Sequence, residues 1–168
     1  MGTRLLEITR RIHENKLHRT VLGAVSYIAA IISCAAFVYL CVTAYLEEPL
    51  KAVEPIVICG VPFIAVSVFR RVLNAPRPYE VYQFFGEELP KNKKGCSFPS
   101  RHAFSAFVIG TLAAFTSLPL GIALLIFAVA MSSARVLLGV HFIRDVVAGG
   151  AIGALSAVIG WLIFNFLF

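Results

Sequence analysis

Long apolar runs separated by short charged stretches fill most of the chain. Roughly 20 apolar residues cross a hydrocarbon core of about 30 Å as a helix, and the pattern predicts about five such spans, over residues 21–46, 53–73, 102–118, 120–138 and 146–168. Pro55 near the start of the second and Pro62 inside it predict a kink. The third is short and stops before Pro119. Gly149 and Gly153 in the fifth form a small-xxx-small pair, the pattern that lets helix backbones approach closely in lipid. The first 19 residues differ: Leu5, Ile8 and Ile12 fall at helical spacing on one face, and Arg4, Glu7, Arg11 and Glu14 populate the other. That pattern predicts an amphipathic helix in the membrane interface. The expected architecture is all-α, a polytopic transmembrane helix bundle with an N-terminal interfacial helix. It is one domain over residues 1–168, with the helix at 1–19 and the bundle at 20–168. No internal repeat or linker-like stretch divides it. The first apolar run is too long for the h-region of a cleaved signal peptide.

Composition agrees with a lipid solvent. Hydrophobic residues make up 59% and charged residues 14% of the 168, too few polar groups to coat a water-soluble globule. The cysteines Cys34, Cys41, Cys59 and Cys96 form no C-x-x-C pair, so free thiols are expected and neither a disulfide framework nor a zinc site is inferred.

Charge then orients the spans. If they alternate, 14 of the 15 Lys and Arg residues fall on one side: five before the first span, seven between Arg70 and Arg101, and two in the last loop. Only Lys51 falls opposite. The positive-inside rule makes the charged side cytoplasmic, and an inner (plasma) membrane is expected. A formal net charge of +6 then faces anionic lipid headgroups, and nucleic acid is not an expected partner. Arg71, Arg144, Lys91, Lys93 and Lys94 read as headgroup-facing cations. Tyr79, Tyr82, Phe84 and Phe85 read as an aromatic belt.

The same side carries three groups of chemically capable residues: Arg70 with Arg77-Pro78; Pro99-Ser100-Arg101-His102; and Arg135, His141 and Asp145. A phosphoryl group in transfer spreads negative charge over its equatorial oxygens, which planar guanidinium forks suit. Arg70, Arg77 and Arg135 supply such forks. Ser100 and the amides at the start of the third span supply further donors, because a helix N-terminus carries unsatisfied N–H groups and a positive dipole end. A neutral imidazole can attack phosphorus while a second, protonated one hands its proton to the departing alkoxide, roles for His141 and His102. Asp145 lies four residues after His141, so a helical turn puts it on the same face, where a carboxylate fixes the ring's tautomer.

Together these motifs resemble the type 2 phosphatidic acid phosphatase superfamily, with K-x6-R-P, P-S-G-H and S-R-x5-H-x3-D. Here they read R-x6-R-P from Arg70 to Pro78, P-S-R-H from Pro99 to His102, and A-R-x5-H-x3-D from Ala134 to Asp145. The resemblance implies that His141 is the nucleophile, His102 the acid and Asp145 the orienting group. It further implies that Arg70, Arg77, Ser100 and Arg135 bind phosphate with no metal and no cofactor. Three positions depart from the pattern. Arg70 stands for Lys, Ala134 for Ser, and Arg101 for Gly, where the side chain either adds a phosphate contact or reaches the interface.

The expected activity is therefore hydrolysis of a membrane lipid phosphomonoester or diphosphate through a phosphohistidine. Phosphatidic acid, phosphatidylglycerol phosphate and polyprenyl phosphates or diphosphates are the candidate substrates. Two other readings use the same residues: a non-catalytic protein binding anionic lipid, and a phosphotransferase in which an acceptor hydroxyl replaces water.

Overall fold

Polar caps set the start of two of the helices, at Asn15 and at Ser100. A computed structural model describes residues 2–82 and 94–167, with helices and connecting loops and no strand among them. Helix α1 (Thr3–Glu14) and helix α2 (Lys16–Glu47) abut at Asn15, whose Oδ1 accepts from the N–H groups of Leu17 at 3.0 Å and His18 at 3.3 Å. Two of the orphan donors of the first turn of α2 are thereby satisfied, and the helix starts ahead of its apolar run. A 3-10 turn (Pro49–Ala52) leads into α3 (Val53–Leu73), which runs through Pro62 and ends on Asn74 in the left-handed region. After a short helix α4 (Pro78–Tyr82) come α5 (Arg101–Thr116), α6 (Leu118–Leu137) and α7 (Ile143–Leu167). The break between α5 and α6 falls at Ser117, slightly earlier than hydropathy predicts, because Pro119 is accepted inside the first turn of α6. Phe84, Phe85, Lys91 and Lys93 lie outside the described residues.

Four stretches among the described residues are long and apolar enough to cross a membrane: Lys16–Glu47, Pro49–Tyr82, Leu118–Leu137 and Ile143–Phe166. The predicted short third span corresponds to α5, whose 16 residues extend about 24 Å at 1.5 Å per residue. It is the central helix, packed against α2, α3, α6 and α7. Phe104, Val108, Leu112 and Ala113 of α5 are buried in the main apolar cluster with Ile58 of α3, Leu124 of α6 and Ala157 of α7. Large apolar side chains such as Ile28, Val61, Ile126 and Ile159 face outward. That distribution suits a bilayer and would be a liability in water.

The small-residue pair of α7 meets the backbone of α5. A Cβ on Gly149 would lie 2.4 Å from Ser100 O, and one on Gly153 would lie 2.4 Å from Phe104 O. This close approach brings the start of α7, and Asp145 on it, against the start of α5.

Helix α1 docks on the same end of the bundle. The contact line is Leu5, Thr9 and His13, spaced by four, and differs from the predicted apolar face: Thr9 is fully buried while Ile8 is 48% exposed. Leu5 packs beside Ala103, Val136 and Val146. Nε2 of His13 donates to Leu138 O at 3.0 Å, since a carbonyl can only accept. The opposite end of the bundle carries Lys51 paired with Glu47 at 3.4 Å.

Candidate active site

The site is built at the end of the bundle where α3, α6 and the starts of α5 and α7 meet. Its scaffold is the segment from Gly95 to Ser100. Gly95 adopts φ +65° and stands so close to Asn74 that a Cβ there would lie 2.0 Å from Asn74 Oδ1. Asn74 Oδ1 accepts from Cys96 N–H at 3.2 Å, and Ser97 N–H donates to Ala75 O at 2.9 Å. Glu80 closes the turn from the other side: its Oε1 accepts from Gly95 N–H at 2.7 Å and its Oε2 from Arg77 N–H at 2.9 Å.

Arg70 is buried, with 4% of its surface exposed, and it reaches inward to this segment. Its Nη1 donates to Pro99 O and to Ser97 O, and its Nη2 donates to Cys96 O. Three of its five N–H bonds therefore hold the loop, leaving Nε–H and one Nη2 hydrogen for anything else. Arg77 donates from Nε to Gly95 O at 3.0 Å and keeps its terminal nitrogens beyond that bond.

His141, Asp145 and Ser97 form the buried centre, with 2%, 0% and 0% of their surfaces exposed. The turn carrying His141 is closed by the N–H groups of Val140 and His141, which donate to Arg135 O at 3.1 and 3.3 Å. Asp145 Oδ2 accepts from Ser97 Oγ at 2.5 Å and from Phe142 N–H at 3.0 Å. His141 Nδ1 lies 3.6 Å from Asp145 Oδ2 and 3.4 Å from Ser97 Oγ. Asp145 Oδ1 takes no hydrogen bond from the described residues and faces Arg144 Nε at 3.6 Å. The carboxylate's backbone O accepts from Ser100 N–H at 2.8 Å, tying α7 to the cap of α5. Burial lowers the His141 pKa from 6.5, and the charges of Arg77 and Arg70 lower it further, against the raising effect of its contact with Asp145. The net direction favours the neutral ring over the imidazolium.

Ser100 is fully buried and caps α5, its Oγ accepting from Ala103 N–H at 3.4 Å. The sequence-predicted residues converge. His102 lies within electrostatic reach of Arg135, His141, Arg101 and Arg70, and Arg135 within reach of Arg77. Arg135 Nε is buried with no hydrogen-bond partner among the described residues. Arg101 and His102 line a recess of about 340 Å³ together with Ala30, Ser33, Phe63, Ala106, Ile109 and Met131.

Sequence reasoning missed Ser97, Asn74 and Glu80. Asn74 follows an apolar helix and precedes a Pro-containing stretch, a usable signal for a helix end. Ser97 carried no signal, because nothing local links it to a carboxylate 48 residues away.

The helical membrane bundle and a cationic end site holding two histidines and a buried aspartate define the class. The PAP2 superfamily profile matches residues 51–168, and the chain belongs to that superfamily. Two solved structures share the fold. A transmembrane PAP2-type phosphatidylglycerolphosphate phosphatase from Bacillus subtilis superposes with a TM-score of 0.72 at 17% identity, covering 99% of this chain and 89% of that one. LpxE of Aquifex aeolicus gives 0.68 at 22% identity, covering 94% of each chain. No curated protein matches the chain in sequence.

Proposed function

We propose that this membrane protein is a metal-independent lipid phosphate phosphatase that works through a phosphohistidine on His141. The observation that carries the reading is the charge arrangement. Arg70, Arg77, Arg101 and Arg135 crowd two histidines, while Oδ2 of Asp145 is engaged by Ser97 and Phe142, and Glu80 by backbone N–H groups. Guanidinium groups held this close repel one another and a divalent cation alike, and a phosphoryl anion relieves the repulsion. Arg135, whose Nε has no hydrogen-bond partner among the described residues, and the terminal nitrogens of Arg77 are the principal phosphate ligands. Arg101 joins them from the helix start. Arg70 adds charge and sets the loop, and Ser100 contributes through the capped N-terminus of α5.

In the reaction, neutral His141 attacks phosphorus and displaces the lipid alkoxide, or a lipid phosphate from a diphosphate. His102 protonates that leaving group, then takes a proton from the water that releases phosphate. The recess that His102 lines is mostly apolar, so it suits the lipid end of the leaving group. The similarity to a phosphatidylglycerolphosphate phosphatase keeps that lipid beside phosphatidic acid and polyprenyl diphosphate as candidate substrates. The excess of Lys and Arg at this end supports a cytoplasmic site in an inner (plasma) membrane.

The test is phosphate release in detergent with EDTA, comparing wild type and His141→Ala on those three lipids. Release that requires His141 and survives chelation is expected; loss of release with EDTA, or full activity in His141→Ala, would overturn the proposal.

A further inference from the structure

We infer that Ser97 is a positioning residue for the proposed reaction, its hydroxyl standing between His141 and Asp145 and holding the histidine in the tautomer that attacks. The inference rests on the reading of His141 as nucleophile.

A histidine that attacks through Nε2 must carry its proton on Nδ1, and that proton needs an acceptor. The direct candidate, Asp145 Oδ2, lies 3.6 Å away, beyond a hydrogen bond. The same oxygen already accepts from Ser97 Oγ at 2.5 Å and from Phe142 N–H at 3.0 Å. Ser97 Oγ is the nearer acceptor, at 3.4 Å from Nδ1. A hydroxyl donates one proton and accepts through its lone pairs. With its proton committed to the carboxylate, Ser97 can present only lone pairs to the ring, so Nδ1 must be the protonated nitrogen. The chain of bonds then runs from His141 Nδ1–H to Ser97 Oγ, and from Ser97 O–H to Asp145 Oδ2. When Nε2 bonds to phosphorus the ring becomes cationic, and the carboxylate's charge reaches it through this polarised hydroxyl. Ser97 is itself fixed. Its N–H donates to Ala75 O, its C=O accepts from Arg70, and its side chain is fully buried. One residue thus joins the end of α3, the loop before α5 and the start of α7.

The test uses the full-length protein labelled with 15N-histidine in detergent micelles. It has four histidines, and the His141 signal is identified by its loss in His141→Gln. Nitrogen shifts and couplings to the ring carbons' protons report which nitrogen is protonated. Wild type is expected to show the Nδ1–H tautomer. Ser97→Ala keeps the backbone bonds of residue 97 and is expected to mix the tautomers and lower kcat by roughly 10- to 100-fold with KM within about twofold. Ser97→Cys fills the same space with a weak donor and is expected to behave likewise, so a lesion remains readable if the alanine variant does not fold. Ser97→Thr, which restores a hydroxyl, is expected to recover the wild-type tautomer. An unchanged tautomer in Ser97→Ala or Ser97→Cys would overturn the inference whatever the rate, because Asp145 would then be holding the ring directly. Equal turnover by wild type and His141→Gln is a different failure, removing the nucleophile on which the inference stands.

Discussion

Arg70 offers the sharpest separation between two ways a basic residue can serve a phosphatase. A phosphate ligand is felt mainly in substrate binding, whereas a residue holding the loop is felt in the stability of the site itself. In the structure its two Nη atoms donate to Cys96 O, Ser97 O and Pro99 O. Consider Arg70→Met, which keeps the stem and removes the donors. Cys96 is partly exposed, so water can replace the lost donor there. Ser97 and Pro99 are buried, and each loses a charge-assisted bond worth about 1.5 kcal/mol at the low end, about 3 kcal/mol together. At 2–4 °C per kcal/mol for a chain of this size, the melting midpoint in detergent should fall by roughly 6–12 °C. The displaced loop carries Ser97 and Ser100, so kcat should fall as well. Thermal unfolding followed by size-exclusion chromatography measures the first effect, and phosphate release across substrate concentrations measures the second. Arg70→Lys should recover part of both, since an ammonium reaches fewer of the three carbonyls. A midpoint within about 1 °C of wild type with a rise confined to KM would refute the loop role and return Arg70 to the phosphate.

Three further expectations can be checked independently. Proton donation by His102 predicts that His102→Ala costs about 10²- to 10⁴-fold on an alkyl phosphate and much less on an activated aryl phosphate; equal losses in steady-state kinetics would remove the acid role. The His141 ring should titrate below pH 6.5, because burial, Arg77 and Arg70 outweigh Asp145. Asp145→Asn removes the raising influence and should lower that midpoint further; an upward move in an NMR titration would contradict the assigned balance. Gly149→Val drives a side chain into Ser100 O, where even a Cβ would lie 2.4 Å away. It should cost about 1–3 kcal/mol and much of the activity, since Ser100 N–H is bonded to Asp145 O; wild-type melting and turnover would refute the close helix contact.

What could be read from the sequence follows from how local each signal is. Spans are local, and lipid imposes a length and a hydropathy that few other structures satisfy, so the bundle was legible from composition and run length. His141 and Asp145 share a turn, and Arg70, Arg77, Ser100 and Arg135 sit at span ends on one side, so topology alone brings them to one membrane face. Short α5 reads as a weak span because its 16 residues fall short of the roughly 20 that cross the hydrocarbon core. The inward direction of Arg70 was not legible, because its partners are backbone carbonyls 26 to 29 residues away, and a carbonyl has no sequence signature. Ser97 was hidden because nothing local links it to Asp145, 48 residues further on.

Ser97 and the inward reach of Arg70 both support the chemistry from behind. In the proposed reaction the acting groups are histidines, arginines and a carboxylate, whose residue types advertise them. A supporting group needs only one well-placed donor or acceptor, which a serine, an asparagine or any peptide bond provides. The supporting layer here consists of Ser97, Asn74, Glu80 and the carbonyls around them, and it converts three separated motifs into one site. It also accounts for the position of α1. Its residue His13 donates to Leu138 O, at the start of the turn that carries His141. The amphipathic helix that the sequence places in the membrane interface is therefore also part of the frame that holds the loop of His141.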